Sequence, residues 1–467
     1  MQPVLLWSDA LIWLLVLAAL LGGVLSAGKP MQVAAWRRVG ASRAGMAAGT
    51  LLLAFVLIGL LDSLHYRPLL PGANPTKAYA VEVRSALDAL LSGLREHNEK
   101  TYSAPLATRL FAMEAIEQPD GRVLREFPRL KFGGKQLGSD EAGLAADVWA
   151  KLALGLLVGG VLWLLLAGKL LWLLAWRQRR PLAEVWRDIR HGRSVIAWPA
   201  VLLTLAVILL LAGPLGLLAV DYHVFGTDKV GQDVLYQVLK SVRTGLVIGL
   251  VTTLVTLPLA VFLGILAGYF GGWIDDAIQY IYTVLNSIPG VLLIAAAVLM
   301  MQVVIDIHPQ WFATAAERAD VRLLALCFIL GLTSWTGLAR LLRGETLKLK
   351  ELEYIQAAQA FGVAHLRIVL RHILPNLMHI VVIALVMDFS SLVLAEAVLS
   401  YVGIGVDPGT MSFGTMINNA RMELAREPMV WWSLAAAFAF MFALVLAANL
   451  FADAVRDAFD PRLKGSD

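Results

Sequence analysis

Nine apolar stretches, each about as long as a bilayer's hydrocarbon core is thick, constrain this chain more than any other feature. They fall at 4–26, 46–62, 148–176, 196–219, 242–270, 279–305, 321–342, 376–402 and 429–453. A helix needs roughly 20 mostly apolar residues to cross that core. Composition agrees: 59% of the residues are hydrophobic and 16% charged, where a soluble domain carries about 25% charged. The fold class predicted is therefore an all-α polytopic membrane protein. The first stretch lacks a basic leader and carries Asp9, so it reads as a retained helix rather than a cleaved signal. The one cysteine, Cys327, lies within an apolar run and reads as a small buried side chain.

Charge position says more than the net charge of +4, which is modest and argues nothing about nucleic acid; no nucleic-acid partner is expected. Loop 27–45 holds Lys29, Arg37, Arg38 and Arg43. Loop 177–195 holds Arg177, Arg179, Arg180, Arg187, Arg190 and Arg193. Loop 343–375 holds Arg343, Lys348, Lys350, Arg367 and Arg371. Alternating spans place all three on one side, and basic short loops mark the cytoplasmic side. The N-terminus is then extracytoplasmic and the tail after 453 cytoplasmic.

The chain divides near residue 180. Residues 1–180 hold three spans and a polar extracytoplasmic segment, 63–147; residues 181–467 hold six spans. Within the polar segment Val81, Val83, Leu87, Leu90, Leu91 and Leu94 recur at helical spacing. Pro105, Pro119-Asp120-Gly121, Pro128 and Gly133-Gly134 punctuate it as turns. It reads as a small packed cap, with a docking surface as the alternative. Farther on, 233–243 reads as a short helix on the membrane surface. Gly245 and Gly249, and Gly264 and Gly268, have the four-residue spacing that lets membrane helices approach closely. Pro258 and Pro289 interrupt apolar runs and can bend them.

The polar loop between the seventh and eighth spans, EYIQAAQAFGVAHLRIVLRHILP at 353–375, holds no catalytic constellation. Residues 346–361 read as a helix with small Ala357, Ala358 and Ala360, closed by Gly362. A second short helix, 364–372, leads to Pro375, which can open the next span. A push on the first helix would be passed to a membrane helix.

Gln356-Ala357-Ala358, then Gly362, then Ile373-Leu374-Pro375 resemble the EAA loop of binding-protein-dependent ABC permeases, with Gln356 where the signature has glutamate. FGTDKVGQDVL (225–235, with Gln232 in place of arginine), GYFGGWIDD, RHILPN (371–376), LAEAVLSYVGIGV (394–406) and AVRDAFDPRL (454–463) are similar to the second, C-type subunit of the dipeptide/oligopeptide branch. The resemblance covers roughly 180–464 and leaves 1–180 as an extension. It implies a six-helix type I importer core in the bacterial inner membrane, plus about three extra N-terminal helices. It also implies Glu353, Gln356, Ala357, Ala358, Gly362 and Pro375 as the ATPase-coupling residues. The partners implied are a second permease chain, two ATPase subunits and an extracytoplasmic solute-binding protein. The chain has no GxxxxGK[ST] phosphate cradle, so ATP and Mg are expected on the ATPase subunits, with no cofactor or metal in this chain.

Asp388 and Glu396 are acids within the span 376–402, two helical turns apart. They are candidates for the translocation path, or for interhelical hydrogen bonding; structure is favoured for Glu396. Two other classes compete with the importer. A membrane-embedded enzyme needs ligands or a nucleophile and base on facing helices, but the histidines fall mostly in loops or at span ends. An ion-driven secondary transporter favours several mid-span charges and an internal repeat, and the sequence offers neither clearly.

Overall fold

The computed structural model describes residues 2–28, 30–69, 79–117, 123–138, 141–312 and 314–459. Along the chain, strand β1 (Gln2–Val4) precedes α1 (Trp7–Ala27), α2 (Pro30–Ala41) and α3 (Arg43–Asp62). The polar segment then forms β2 (His65–Arg67), β3 (Arg84–Ser85), α4 (Ala86–Leu90), α5 (Ser92–Glu96), β4 (Glu114–Glu117) and β5 (Val123–Glu126). Next come α6 (Leu144–Gln178), α7 (Leu182–Arg190), α8 (Trp198–Asp221), α9 (Val234–Phe270), α10 (Gly272–Ser287), α11 (Gly290–Ile307) and α12 (Ala315–Lys350). The last elements are α13 (Glu353–Ala360), α14 (His365–Ile368), α15 (Leu374–Tyr401), α16 (Phe413–Leu424) and α17 (Trp432–Phe459). Strands β1, β2 and β3 form one antiparallel sheet, and β4 pairs with β5.

Among the described residues, nine helices are long and apolar enough to cross a membrane. Three expectations about helices are corrected. The stretch 279–305 is not one helix: α10 ends at Ser287, Ile288 is extended, and α11 starts after Pro289. Proline disfavours the helical conformation in the residue before it. The expected surface helix 233–243 is instead the first three turns of the 37-residue α9. Its Tyr236 and Lys240 find polar partners in Asp62 and Asp88, so the helix continues beyond the apolar run. The amphipathic pattern beginning at Val81 yields helix only from Ala86, where Ser85 closes a capping box with Asp88, and it breaks at Leu91. The turn at Pro119-Asp120-Gly121, Lys29 and the tail from Asp460 lie outside the described residues.

The chain forms two compact units, and they cut across the division near residue 180. One comprises Trp36–Thr244 and Met411–Phe451, with strand β1. In it α6 lies backbone to backbone on α8. A side-chain carbon on Gly155 would sit 2.4 Å from the Pro214 Cα, and one on Gly159 2.4 Å from the Leu209 carbonyl oxygen. Small residues at four-residue spacing make such a crossing possible, and the Trp163 indole donates to the Leu202 carbonyl at 2.9 Å.

The other unit comprises Leu5–Ala35, Gly245–Thr410 and the chain from Ala452. Here α9 packs on α12 through the predicted pair Gly264 and Gly268; a carbon on the latter would fall 2.6 Å from the Thr346 Cβ. Cys327 is fully buried, as expected.

Candidate functional site

The loop expected to receive force is built from a buried floor and an exposed edge. Helix α12 runs to Lys350, farther than the sequence suggests, and turns at Glu351 and Leu352 before α13. Ile355, Ile368 and Ile373 are fully buried and join Leu342 and Leu377 in one apolar cluster. Each such side chain contributes roughly 1.5–3 kcal/mol by leaving water. Gly362 has φ +72°, with its N–H donating to the Gln359 carbonyl at 3.0 Å. Left-handed backbone costs any other residue about 1–2 kcal/mol, so Gly362 fixes the turn between α13 and α14.

After the turn the chain does not restart at Pro375. Residues His365–Tyr401 are helical throughout, with Val369–Ile373 wound as a π turn just ahead of Pro375. A proline cannot donate and clashes with the carbonyl one turn back; the wider π turn accommodates both defects. The expected short helix 364–372 is therefore the start of the membrane helix itself.

Side chains from distant segments brace this loop. The Tyr269 hydroxyl lies 2.9 Å from His365 Nδ1 and accepts from Gln359 Nε2 at 3.3 Å, touching both sides of the turn. Asn376 donates to the Tyr354 hydroxyl at 3.2 Å, tying α13 to the base of α15. Arg343 grips Asp275 with two bonds of 2.6 Å, and that guanidinium holds the Asp275 carboxyl below the usual carboxylate range. Sequence reading missed Tyr269, His365 and Asp275 as partners. They lie 68 to 96 residues from their contacts, and no local pattern joins them.

Of the predicted coupling residues, Glu353, Gln356 and Ala357 are exposed, Ala358 is half-buried against the floor, and Pro375 is exposed. The Gln356 amide donates to Glu351, at 3.2 Å to the carboxylate and 3.3 Å to the carbonyl. Phe361 beside the turn is 85% exposed, and Leu366 and Leu370 are exposed too. The loop thus presents an apolar and small-residue edge over a firm base.

The two span acids differ. Glu396 is buried and accepts from the Ser400 hydroxyl one turn on, at 2.6 Å. Asp388 is half-buried, and its carboxylate has no hydrogen-bond or ion-pair partner among the described residues.

A second polar site lies in the other unit, where the polar segment 63–147 meets FGTDKVGQD. Its centre is His223, with Nδ1 2.8 Å from Asp233 and Nε2 3.5 Å from Glu99, all three nearly inaccessible. Glu99 also accepts backbone N–H bonds from Lys131, Phe132 and Gly133 at 2.8, 2.7 and 3.1 Å. Burial opposes charge on both groups, but these bonds win. Glu99 is held down at about 2, and His223 is pushed up to about 9 by its two carboxylates. Backbone bonds join the segments as well: Thr227 N–H to the Ser103 carbonyl, Leu106 N–H to His223, and Glu99 N–H to Gly231. Gly231 has φ +75° and leaves no room for a side chain against Glu99. Beside this, Lys240 sits 2.5 Å from Asp62 and 3.0 Å from Asp88.

The sequence matches the model for the binding-protein-dependent transport system inner membrane component family over residues 260–465. It is 37% identical over 243 residues to the glutathione transport system permease protein GsiD of Shigella flexneri serotype 5b, covering 52% of this chain and 73% of that one. It is 32% identical over 298 residues to the oligopeptide transport system permease protein OppC of Escherichia coli K12, covering 60% and 92%. A solved inward-facing MetNI methionine ABC transporter overlaps 49% of this chain and 96% of that one, at TM-score 0.35 and 18% identity.

Proposed function

The chain belongs to the binding-protein-dependent transport system inner membrane component family, and from that premise we propose how it works. It is a multi-pass inner-membrane permease of an ATP-driven importer. The proposed cargo is a peptide or a similar small solute, in keeping with the glutathione and oligopeptide permeases it resembles. The proposed assembly pairs it with a second permease chain, two ATPase subunits that hold ATP and Mg, and a solute-binding protein. Loop 343–375 faces the ATPases in the cytoplasm, with the N-terminus on the opposite side, in line with its basic residues.

One observation carries this reading: the unbroken mechanical line from α13 through Gly362 into the helix His365–Tyr401. An ATPase gripping Phe361, Ala357 and the exposed face around Gln356 would move α13, and the braced turn would pass that motion to α15. Closure of the ATPases then shifts the balance between inward- and outward-open states, to the extent that they bind one state more tightly. Gln356 contributes by hydrogen bonding and shape, its amide already engaged by Glu351. Asp388, whose carboxylate has no partner among the described residues, is the acid proposed to meet a cationic group of the cargo, and Glu396 is proposed to hold the helix packing.

The test is co-purification of the complex followed by binding-protein-stimulated ATP hydrolysis and uptake, screened over peptides of several lengths. Gly362→Pro should keep the chain in the membrane and abolish uptake. Normal uptake by that variant would refute the force-transfer role. Failure of every peptide alongside uptake of another solute would refute the cargo alone.

A further inference from the structure

We propose that the end of α6 is a binding site for the headgroup of an anionic phospholipid. The helix stops at Gln178, where Arg179 takes the left-handed conformation with φ +51°. Around that stop lies an open cavity of about 710 Å³ lined by Trp172, Ala175, Trp176, Arg177, Arg179 and Arg180. The three arginines supply cationic forks suited to a phosphate diester. They are not equivalent. Arg180 is already bonded to Asp188 at 2.9 Å and to Glu184 at 3.3 Å. Arg177 and Arg179 are exposed and pair with no acid among the described residues.

The walls identify a lipid rather than a free ion. Trp172 and Trp176 stack with ring centroids 6.4 Å apart and planes 10° from parallel, and both are more than half exposed. Tryptophan at a span end sits at headgroup level, where one side is apolar and the other wet. Two exposed indoles beneath two unpaired guanidiniums offer an acyl-chain wall below and phosphate donors above. An inorganic phosphate would use only the upper part. Beyond the cavity, the Arg43 guanidinium lies 3.9 Å from where a side chain on Gly192 would begin, so the basic loops 27–45 and 177–195 meet. A lysine or arginine near an anionic bilayer surface adds about 1 kcal/mol of attraction.

The reading rests on α6 crossing the membrane, not on the cargo or on the ATPases. The experiment is native mass spectrometry of the full chain, purified in detergent, with phosphatidylglycerol or phosphatidylcholine added at equal amounts. Wild type should retain phosphatidylglycerol selectively, and Arg177→Gln with Arg179→Gln should lower that retention on the order of tenfold. Arg187→Gln, outside the cavity, should leave it nearly unchanged. If the double variant does not fold, Trp176→Ser supplies the same test through the apolar wall. Equal retention of both lipids, or full retention by the variants, would overturn the site. Displacement of the lipid by millimolar inorganic phosphate would overturn the lipid as occupant.

Discussion

The proposed coupling loop and the clamp around His223 are held in opposite ways within the same helical chain. The loop is held by apolar side chains beneath it, and its polar groups are braced mostly by hydroxyl and amide groups such as those of Tyr269, Gln359, Tyr354 and Asn376. The clamp is held by buried charge, with His223 between Glu99 and Asp233, and by backbone bonds fixed in direction. Apolar contacts are non-directional and tolerate small sliding. Buried ion pairs do not, since each member is costly once its partner leaves. The region proposed to pass motion on is thus seated on isoleucines, and the region around His223 is locked by carboxylates.

The sharpest way to break this contrast is Glu99→Ala. It leaves His223 with Asp233 as its one remaining carboxylate and takes the acceptor from three backbone N–H groups, so it should cost about 3–5 kcal/mol. Thermal unfolding of the full chain in detergent would show this, with protease cutting within 79–138 as the local readout. Stability like that of a surface variant would mean that the clamp is not locked by charge. Ile355→Ala should come next, at about 2–5 kcal/mol in principle. Because α13 is short, much of that loss should appear as local opening: faster amide exchange over 353–373 with a smaller change in overall unfolding.

Acid and base sharpen the contrast further. His223 is raised from an ordinary 6.5 to about 9, so its stabilisation is complete below 6.5 and fades as pH rises through 9. Glu99 is lowered from 4.5 to about 2, so its share is complete above 4.5 and fades as pH falls toward 2. Unfolding of the clamp should therefore be hardest between about pH 5 and 6.5 and easier at pH 9 to 10. Amide exchange over 99–134 followed against pH would check this, and a flat profile would count against the ion triad. Deprotonation leaves a neutral ring still able to donate once, so the loss should be smaller than for Glu99→Ala. Smallest of all is Gln356→Ala, whose exposed bond to Glu351 is worth about 0.5 kcal/mol or less to the fold. Its effect should fall on coupled ATP hydrolysis, and unchanged coupling would remove Gln356 from the contact.

The two sites were unequally legible. The loop announced itself because its small residues, its glycine and its proline lie within 23 consecutive positions, 353–375. The clamp was half visible: FGTDKVGQD stood out, but Glu99 looked like any surface acid. Its role exists only because a chain segment more than 120 residues away in sequence from His223 and Asp233 folds onto that element. The break at Pro289 was readable as a bend, and its sharpness was not. The extension of α9 to Val234, ahead of its apolar run, could not be read, since hydropathy marks where a helix is apolar and not where it ends.

By itself the sequence determined the number of spans, the family resemblance and the position of the proposed coupling loop. These are local properties of length, hydropathy and short motifs, and a bilayer leaves a long apolar segment few choices. Tertiary structure decided what no window of sequence contains. It wound Pro375 into a continuous helix through a π turn, separated Asp388, whose carboxylate has no partner among the described residues, from hydrogen-bonded Glu396, and set His223 between two carboxylates. Each depends on which side chains meet across the fold, where burial sets the cost of every unpaired polar group.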